Sequence, residues 1–277
     1  KNAWWRYGVG IVLILVIWLV GSGLLTVPFQ ESGLVAPGSA AELALGLLTF
    51  GFMLLGVWLA TVWLHRRSFG SLIGPSRRLN GKRLLIGMGI WAALLTLVTV
   101  GSVLFMGVRY TFNPNFLQNW PLLLAALVLI PLQTSAEEFL YRGYLLQASG
   151  RLTQNWLILS IVNGLLFTLP HLANPEAAQN FLLSILNWFL VGAAWSLMTL
   201  RSGSLDYALG IHAVNNLFLF LLFGYQDGSM PPIALFMTKA QITLYDIFSL
   251  FAALAVTYWM ISRIESRSAS EAVPVQS

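Results

Sequence analysis

Long apolar segments separated by short polar connections decide what this chain can fold into. A helix of about 20 residues crosses a hydrocarbon core of about 30 Å. Because backbone groups in lipid must be hydrogen-bonded within their own segment, uniformly apolar runs of this length predict helices rather than barrel strands. We therefore expect an all-α integral membrane protein with about eight transmembrane helices. The predicted spans cover approximately residues 8–27, 43–64, 84–107, 121–147, 156–172, 180–200, 207–224 and 242–262.

The composition agrees with a lipid environment. Hydrophobic residues make up 57% of the 277 positions and charged residues only 9%, whereas ordinary soluble domains carry about 25% charged residues. So few charged groups cannot coat a globule in water, and most of the outer surface must therefore face lipid. The chain contains no cysteine, which excludes disulfides, thiolate metal ligands and thiol nucleophiles.

The basic residues are distributed unevenly between the two ends of the predicted helices. If the N-terminus is cytoplasmic and eight spans alternate, every lysine and arginine except Arg109 and Lys239 falls on the cytoplasmic side. Cytoplasmic loops of membrane proteins show this bias, so we expect both termini to be cytoplasmic. The basic loop at residues 65–83 should attract anionic lipid head groups. The net charge of +5 thus indicates membrane topology and no nucleic-acid partner.

The sequence indicates one domain followed by a tail. No linker, repeat or long soluble insertion divides the chain, so we expect a single polytopic membrane domain at residues 1–262, with a motif-bearing core at about 121–224. The polar residues 263–277 predict a disordered cytoplasmic tail. Short loops and the lack of a eukaryotic-style targeting signal favour a multi-pass protein of a prokaryotic plasma membrane.

Three charged residues stand inside the fourth predicted span, where each costs about 2.5–3.5 kcal/mol and usually marks a function. Glu138 and Arg142 are four residues apart in "EEFLYR", so they share one helix face as an ion pair. Glu137 points about 100° away, towards Tyr141, which leaves its carboxylate available as a general base. The alternative interpretation of this cluster is a packing clasp between helices.

Two histidine motifs follow on later spans. In "FTLPH", Phe167 and His171 share a helix face. In "HAVNN", His212 and Asn216 are four residues apart, so a ring N–H and an amide can converge on an oxyanion. Asn215 is expected to face about 100° away from Asn216. Interhelical hydrogen bonds alone would also explain such residues, but two intramembrane histidines together with an available glutamate indicate a site.

The remaining ionisable residues near the spans have structural interpretations. His65 stands beside two arginines in the basic loop, and we expect it to be a solvated loop residue. Asp206 and Asp246 lie at predicted helix starts, where a carboxylate suits the N-terminal end of the helix dipole.

The three motifs "EEFLYR", "FTLPH" and "HAVNN", in this order on separate helices, resemble those of the CPBP family of intramembrane proteases. That family includes the eukaryotic CAAX prenyl endopeptidases and bacterial proteins linked to bacteriocin processing and immunity. The resemblance covers about residues 135–216. It implies an intramembrane peptidase of the glutamate type that acts on a peptide or a membrane protein and needs no cofactor.

The resemblance also implies a role for each motif residue. Glu137 and His171 would activate a water molecule, while His212 and Asn216 would stabilise the oxyanion of the tetrahedral intermediate. The residues in supporting positions are Glu138, Arg142 and Phe167.

A zinc site is an alternative to this metal-independent mechanism. Glu137, His171 and His212 could supply the two histidines and one carboxylate of a catalytic zinc site. No HExxH pair is present in the sequence, and the resemblance favours water activated by glutamate without a metal.

Two other functions stay open from the sequence. A proton-coupled transporter or channel would use the buried glutamate and histidines as a relay, although the chain lacks the paired glycine- or proline-broken helices that transporters often show. A non-catalytic membrane scaffold would keep the same helices without proteolysis. The substrate also stays open between a prenylated C-terminal peptide, a leader-bearing bacteriocin and the end of a membrane protein.

Overall fold

Eight apolar helices follow one another along the described part of the chain. The computed structural model describes residues 3–178, 180–228, 231, 233–239 and 242–271, with side chains up to Arg267. The helices are α1 (Trp4–Glu31), α2 (Ala40–Leu59), α3 (Gly81–Met106), α4 (Trp120–Glu138), α5 (Trp156–His171), α6 (Phe181–Ser202), α7 (Asp206–Leu217) and α8 (Leu244–Glu271). Each predicted apolar segment therefore coincides with one helix.

Six of the helices in the described residues are long and apolar enough to cross a membrane. They are α1, α2, α3, α4, α6 and α8, whereas α5 and α7 are apolar but shorter. Large apolar side chains such as Leu104, Phe105 and Phe248 stay exposed on these helices, as expected for a surface that faces lipid. The predicted all-α membrane class is thus confirmed.

Three helices continue into π-helical segments, in which the turns are wider than in an α-helix. These segments are Ala60–Leu64 after α2, Phe139–Leu145 after α4 and Phe218–Leu222 after α7. In α4 a further helical turn follows, at Leu146–Ser149. Such π-helical turns are rare and are frequently found at functional sites. The segment in α4 begins directly after Glu138, within the charged motif.

Helix α5 contacts α6, α6 contacts α7 and α7 contacts α4, and the segment after α4 at Phe139–Ser149 contacts α5, so the four helices form a closed ring. Glycines bring these helices close together. A Cβ atom on Gly192 of α6 would lie only 2.9 Å from the Cβ atom of Phe167 on α5. Helix α3 approaches the ring from outside, where a Cβ atom on Gly210 of α7 would clash with the carbonyl oxygen of Leu84. Larger residues at either glycine would push the helices apart.

A small sheet lies at one end of the bundle. Its strands are β1 (Thr111–Phe112), β2 (Phe223–Tyr225) and β3 (Phe236–Thr238), in the order β1-β3-β2. Strand β3 pairs antiparallel with β1 and parallel with β2. We call this end the sheet face, and it carries the connections around residues 32–39, 107–119, 172–178 and 223–228.

The opposite end, here called the basic face, carries the connections at residues 65–80, 150–155 and 203–205. The guanidinium group of Arg83 binds the carboxylate of Glu265 on α8, and its Nη1 atom lies 4.0 Å from Oδ2 of Asp206. Asp206 also accepts a hydrogen bond from the backbone N–H of Asn80 at 3.0 Å. Its predicted structural role at the start of a helix agrees with these contacts.

Two predictions for the basic face differ from the structure. His65 is fully buried, with its Nε2 atom 2.9 Å from the hydroxyl of Tyr144 and its ring packed on Tyr7, so the prediction of a solvated residue is wrong. Residues 263–271, predicted to be disordered, continue α8, which Glu265 anchors to Arg83 and Tyr207. The rest of the predicted tail, residues 272–277, lies outside the described residues.

Candidate active site

The predicted ion pair in the fourth span is present and completely buried. The Nη1 atom of Arg142 donates to Oε1 of Glu138 at 2.8 Å, and both side chains are 0% exposed. The Nη2 atom donates to the backbone carbonyl of Gly192 at 3.3 Å. The pair therefore joins α4 to α6 as well as neutralising one of the two adjacent glutamates.

Aromatic rings surround the guanidinium group of Arg142. Its Cζ atom lies 4.4 Å from the ring centroid of Phe167, 5.4 Å from that of Trp195 and 5.9 Å from that of Tyr141. A desolvated cation is attracted to the faces of aromatic rings. Phe167, the first residue of the "FTLPH" motif, thus contributes to holding the arginine in the core.

His212 lies between the two glutamates. Its Nδ1 atom is 2.7 Å from Oε1 of Glu138, and its Nε2 atom is 3.4 Å from Oε2 of Glu137. An ionised carboxylate only accepts hydrogen bonds, so Nδ1 carries a proton that it donates to Glu138. The ring of Trp195 packs 4.7 Å from the imidazole. The four-residue spacing predicts that His212 and Asn216 share a helix face, and the structure adds the contact between His212 and Glu138.

Glu137 has surroundings different from those of Glu138. Its side chain is nearly buried, at 7% exposure for the residue, and it lines the central cavity. Its Oε2 atom accepts no hydrogen bond from the described part of the chain, and no arginine lies against it as Arg142 lies against Glu138. Glu137 is therefore the carboxylate that can act on a molecule in the cavity.

His171 reaches the same cavity from the last turn of α5. Its Nδ1 atom lies 2.7 Å from the backbone carbonyl of Phe167, so Nδ1 donates and the neutral ring presents Nε2 as an acceptor. The imidazole packs between the rings of Phe167 and Trp188, at 4.5 and 5.5 Å. It is also close enough to interact electrostatically with Glu137.

Asn216 belongs to a chain of side-chain hydrogen bonds that the motifs did not predict. The indole N–H of Trp91 donates to Asn215, the amide of Asn215 donates to Asn216, and that of Asn216 donates to Gln133, each at 3.0 Å. Since an indole N–H can only donate, Trp91 sets the direction of the whole chain. One sequence signal was available, because Gln133 stands one helical turn before Glu137.

The four predicted catalytic residues, Glu137, His171, His212 and Asn216, all line one cavity of about 1410 Å³. Sequence reasoning placed Asn215 away from the site, but this residue lines the same cavity. Within the part of the chain that the structure describes, no three histidine, aspartate or glutamate side chains are placed to hold a metal ion. The arrangement can activate a water molecule beside a carboxylate and donate hydrogen bonds to a nearby oxygen.

These features define a multi-pass helical membrane protein with a buried glutamate and histidine site. The chain belongs to the Rce1-like family of type II CAAX prenyl endopeptidases, whose sequence model matches residues 116–218, the segment that contains all three motifs. It is also 33% identical over 232 residues to an uncharacterized protein, YyaK, of Bacillus subtilis (strain 168), with 79% of this chain and 78% of that protein covered. Membership of this family makes the protein a membrane protease of the CAAX type.

Proposed function

We propose that the protein is an intramembrane endopeptidase in which Glu137 is the catalytic base and no metal is needed. The observation that carries this proposal is the division between adjacent glutamates. Glu138 is bound by Arg142 and His212, whereas Glu137 faces the cavity without an arginine partner. A carboxylate held in such a place is suited to take a proton from water.

The first chemical step joins water to the scissile carbonyl group. A water molecule between Glu137 and His171 gives one proton to Glu137, and its oxygen attacks the carbonyl carbon while His171 accepts a hydrogen bond from the remaining O–H. The carbonyl oxygen becomes the oxyanion of a tetrahedral intermediate. The C–N bond then breaks, and the proton held by Glu137 passes to the leaving amine. The acceptor Nε2 of His171, set by its Nδ1 contact with Phe167, supports this role.

The oxyanion is stabilised by His212 and Asn216. The Nδ2 group of Asn216 has two N–H bonds, of which Gln133 accepts one, so the other can point to the substrate. Nδ1 of His212 already donates to Glu138, so Nε2 carries a proton only in the doubly protonated ring. In that form the Nε2–H can donate a hydrogen bond to the oxyanion. Preorganised donors of this kind stabilise developing charge strongly where bulk water is excluded.

The donor side chains support a metal-independent reaction. A catalytic zinc ion needs three protein ligands that converge on one point. In the described residues His212 directs its nitrogens at the two glutamates, and no cluster of three potential ligands exists there. We propose that water is activated by Glu137 and His171 alone.

The proposed membrane arrangement has eight spans with both termini in the cytoplasm. It is supported by the eight apolar helices and by the concentration of lysine and arginine at the basic face. Residues 1–262 form one membrane domain with its motif-bearing core at about 121–224, and the 65–83 loop binds anionic head groups. The bacterial relative supports a location in the plasma membrane of a prokaryote. The substrate is a peptide or a membrane protein.

The proposal is tested by comparing new peptide termini in membranes that contain the active protein or the Glu137→Gln variant. We expect termini that appear only with the active protein, at equal amounts of the two proteins in the membrane. Identical termini in both samples would contradict the proposed function. Proton flux in liposomes without cleavage would instead identify a transporter, and binding of a membrane partner without either activity would identify a scaffold.

A further inference from the structure

In the described residues, the cavity that holds Glu137 extends to one end of the bundle, the sheet face. Its lining residues from interhelical connections all lie on the sheet face, and they include Gly38, Asn113, Asn115, Asn174, Tyr225 and Gly228. The lining includes no residue from the connections at 65–80, 150–155 or 203–205. The route to the glutamate therefore runs from the sheet face.

The bundle is closed between Glu137 and the basic face. Arg142, Tyr144 and Leu205 lie beyond the glutamate in that direction and are buried, with at most 2% exposure. Leu205 also donates its backbone N–H to the carbonyl of Ile73 at 2.9 Å, which fastens the basic loop under α7. A peptide that reaches Glu137 through the cavity must come from the sheet face.

The charge of the cavity lining limits what that peptide can be. Among the described residues the lining contains the carboxylates of Glu42, Glu137, Glu176 and Asp246, and it contains no lysine or arginine. Arg142 is buried and paired with Glu138 within the core. Proteins usually bind a free carboxylate with an arginine fork or a lysine, and the lining provides neither.

We propose that the cavity binds a neutral or basic internal peptide segment presented on the extracytoplasmic side of the membrane, and not a free C-terminal carboxylate. This inference rests on the proposed endopeptidase function and on cytoplasmic termini, which make the sheet face extracytoplasmic. Carboxylates at the mouth attract lysine or arginine in the substrate and repel acidic residues. Specificity then comes from the charge near the scissile bond, without recognition of the chain end.

The side of access can be measured directly, because the chain has no cysteine of its own. Asn119→Cys at the mouth and Asn187→Cys deeper in the cavity should react with a membrane-impermeant maleimide in intact cells. Ser76→Cys, exposed on the basic face, is the control and should react only after lysis. Labelling of Ser76→Cys in intact cells, or of the two cavity cysteines only after lysis, would overturn the proposed side of access.

The substrate class is tested with the full-length protein in detergent and a library of synthetic peptides analysed by mass spectrometry. Peptides cleaved by the wild type and not by Glu137→Gln are remade as pairs, with a C-terminal acid or amide and with lysine or glutamate beside the scissile bond. The amide should be cleaved as well as the acid, and glutamate should lower kcat/KM about tenfold through repulsion at the mouth. A required free acid or a preference for glutamate would overturn the substrate class.

A matched pair of variants connects that preference to the cavity. Glu42→Gln keeps an acceptor for the backbone N–H of Gly38, which Glu42 binds at 2.6 Å. This variant should reduce the difference in kcat/KM between the peptides with lysine and those with glutamate beside the scissile bond. Glu31→Gln changes an exposed carboxylate that lies near the same face but does not line the cavity. This variant should leave the difference in kcat/KM between the two kinds of peptide unchanged. Equal effects of the two variants would count against charge selection by the cavity. If no peptide shows Glu137-dependent cleavage, the proposed function falls together with the substrate class, and the cysteine labelling still decides the side of access.

Discussion

The Nδ1 atom of His212 lies 2.7 Å from Oε1 of Glu138, the same oxygen that accepts a hydrogen bond from Arg142. One carboxylate oxygen thus fixes both a buried cation and the orientation of an imidazole. Glu138 holds His212 so that its other nitrogen faces Glu137. The second glutamate of the pair is therefore a positioning residue for the site in addition to a partner in the ion pair.

The stability of the protein should depend on Glu138 and Arg142 more than on Glu137. Removing one member of a buried ion pair leaves the other charge uncompensated and costs about 3–5 kcal/mol. Glu138→Gln and Arg142→Ala should therefore lower the melting temperature of the detergent-solubilised protein strongly, whereas Glu137→Gln should leave it nearly unchanged. Equal melting temperatures for the three variants would contradict this division between the glutamates.

Loss of either oxyanion donor should reduce turnover without weakening substrate binding. Removing one such donor typically lowers kcat by about 10²–10³, or 2.7–4 kcal/mol. We expect His212→Ala and Asn216→Ala each to lower kcat in this range with little change in KM, because the hydrogen bonds strengthen only as charge develops. Steady-state kinetics on a cleaved peptide measure the effect.

The control for the oxyanion variants is Asn163→Ala, which changes a buried amide that does not line the cavity. The kcat of this variant should stay close to that of the wild type. The double variant of His212 and Asn216 should lose less than the product of the two single effects, because the two donors act on one oxygen. Fully multiplicative losses would show that the two residues act independently.

Trp91 and Gln133 should influence catalysis only through Asn216. Each hydrogen bond of the chain that holds this amide is worth about 0.5–1.5 kcal/mol, so Trp91→Phe and Gln133→Ala should each lower kcat by up to about tenfold. In an Asn216→Ala background the same changes should have no further effect on kcat. A full effect in that background would assign Trp91 and Gln133 another role.

Activity should survive treatment with a metal chelator. The catalytic steps that we propose use a carboxylate, two imidazoles and an amide, and none of them needs a metal ion. Cleavage of a peptide by the purified protein should be the same before and after dialysis against a chelator. Loss of cleavage that stoichiometric zinc alone restores would overturn the metal-independent mechanism.

The sequence predicts the helices of this fold well because the signal is local. Six of the apolar runs are long enough to cross a bilayer as helices, and all eight runs became helices. The contact between Glu138 and Arg142 was also predictable, since four residues along a helix bring two side chains to one face. These inferences need no knowledge of how the helices pack.

Helical periodicity does not predict which residues of different helices contact each other. Asn215 was expected to point away from the site, but Trp91 on α3 binds its amide and brings it into the chain that ends at Gln133. His65 was expected to be solvated, but Tyr144 from the π-helical segment after α4 covers it. In each case a partner distant in sequence decides the environment, and a single sequence does not reveal that partner.

The π-helical segment Phe139–Leu145 makes the position of a deletion in this span important. A π-helical turn contains about one residue more than an α-helical turn, so deleting Gly143 would let the segment become α-helical while the side chains after it keep nearly their present directions. Gln147, which binds Ser71 at 3.0 Å and Arg67 at 2.9 Å, would then still face the basic loop. The same deletion in the α-helical part, Trp120–Glu138, would rotate every later side chain by about 100° and turn Gln147 away from that loop.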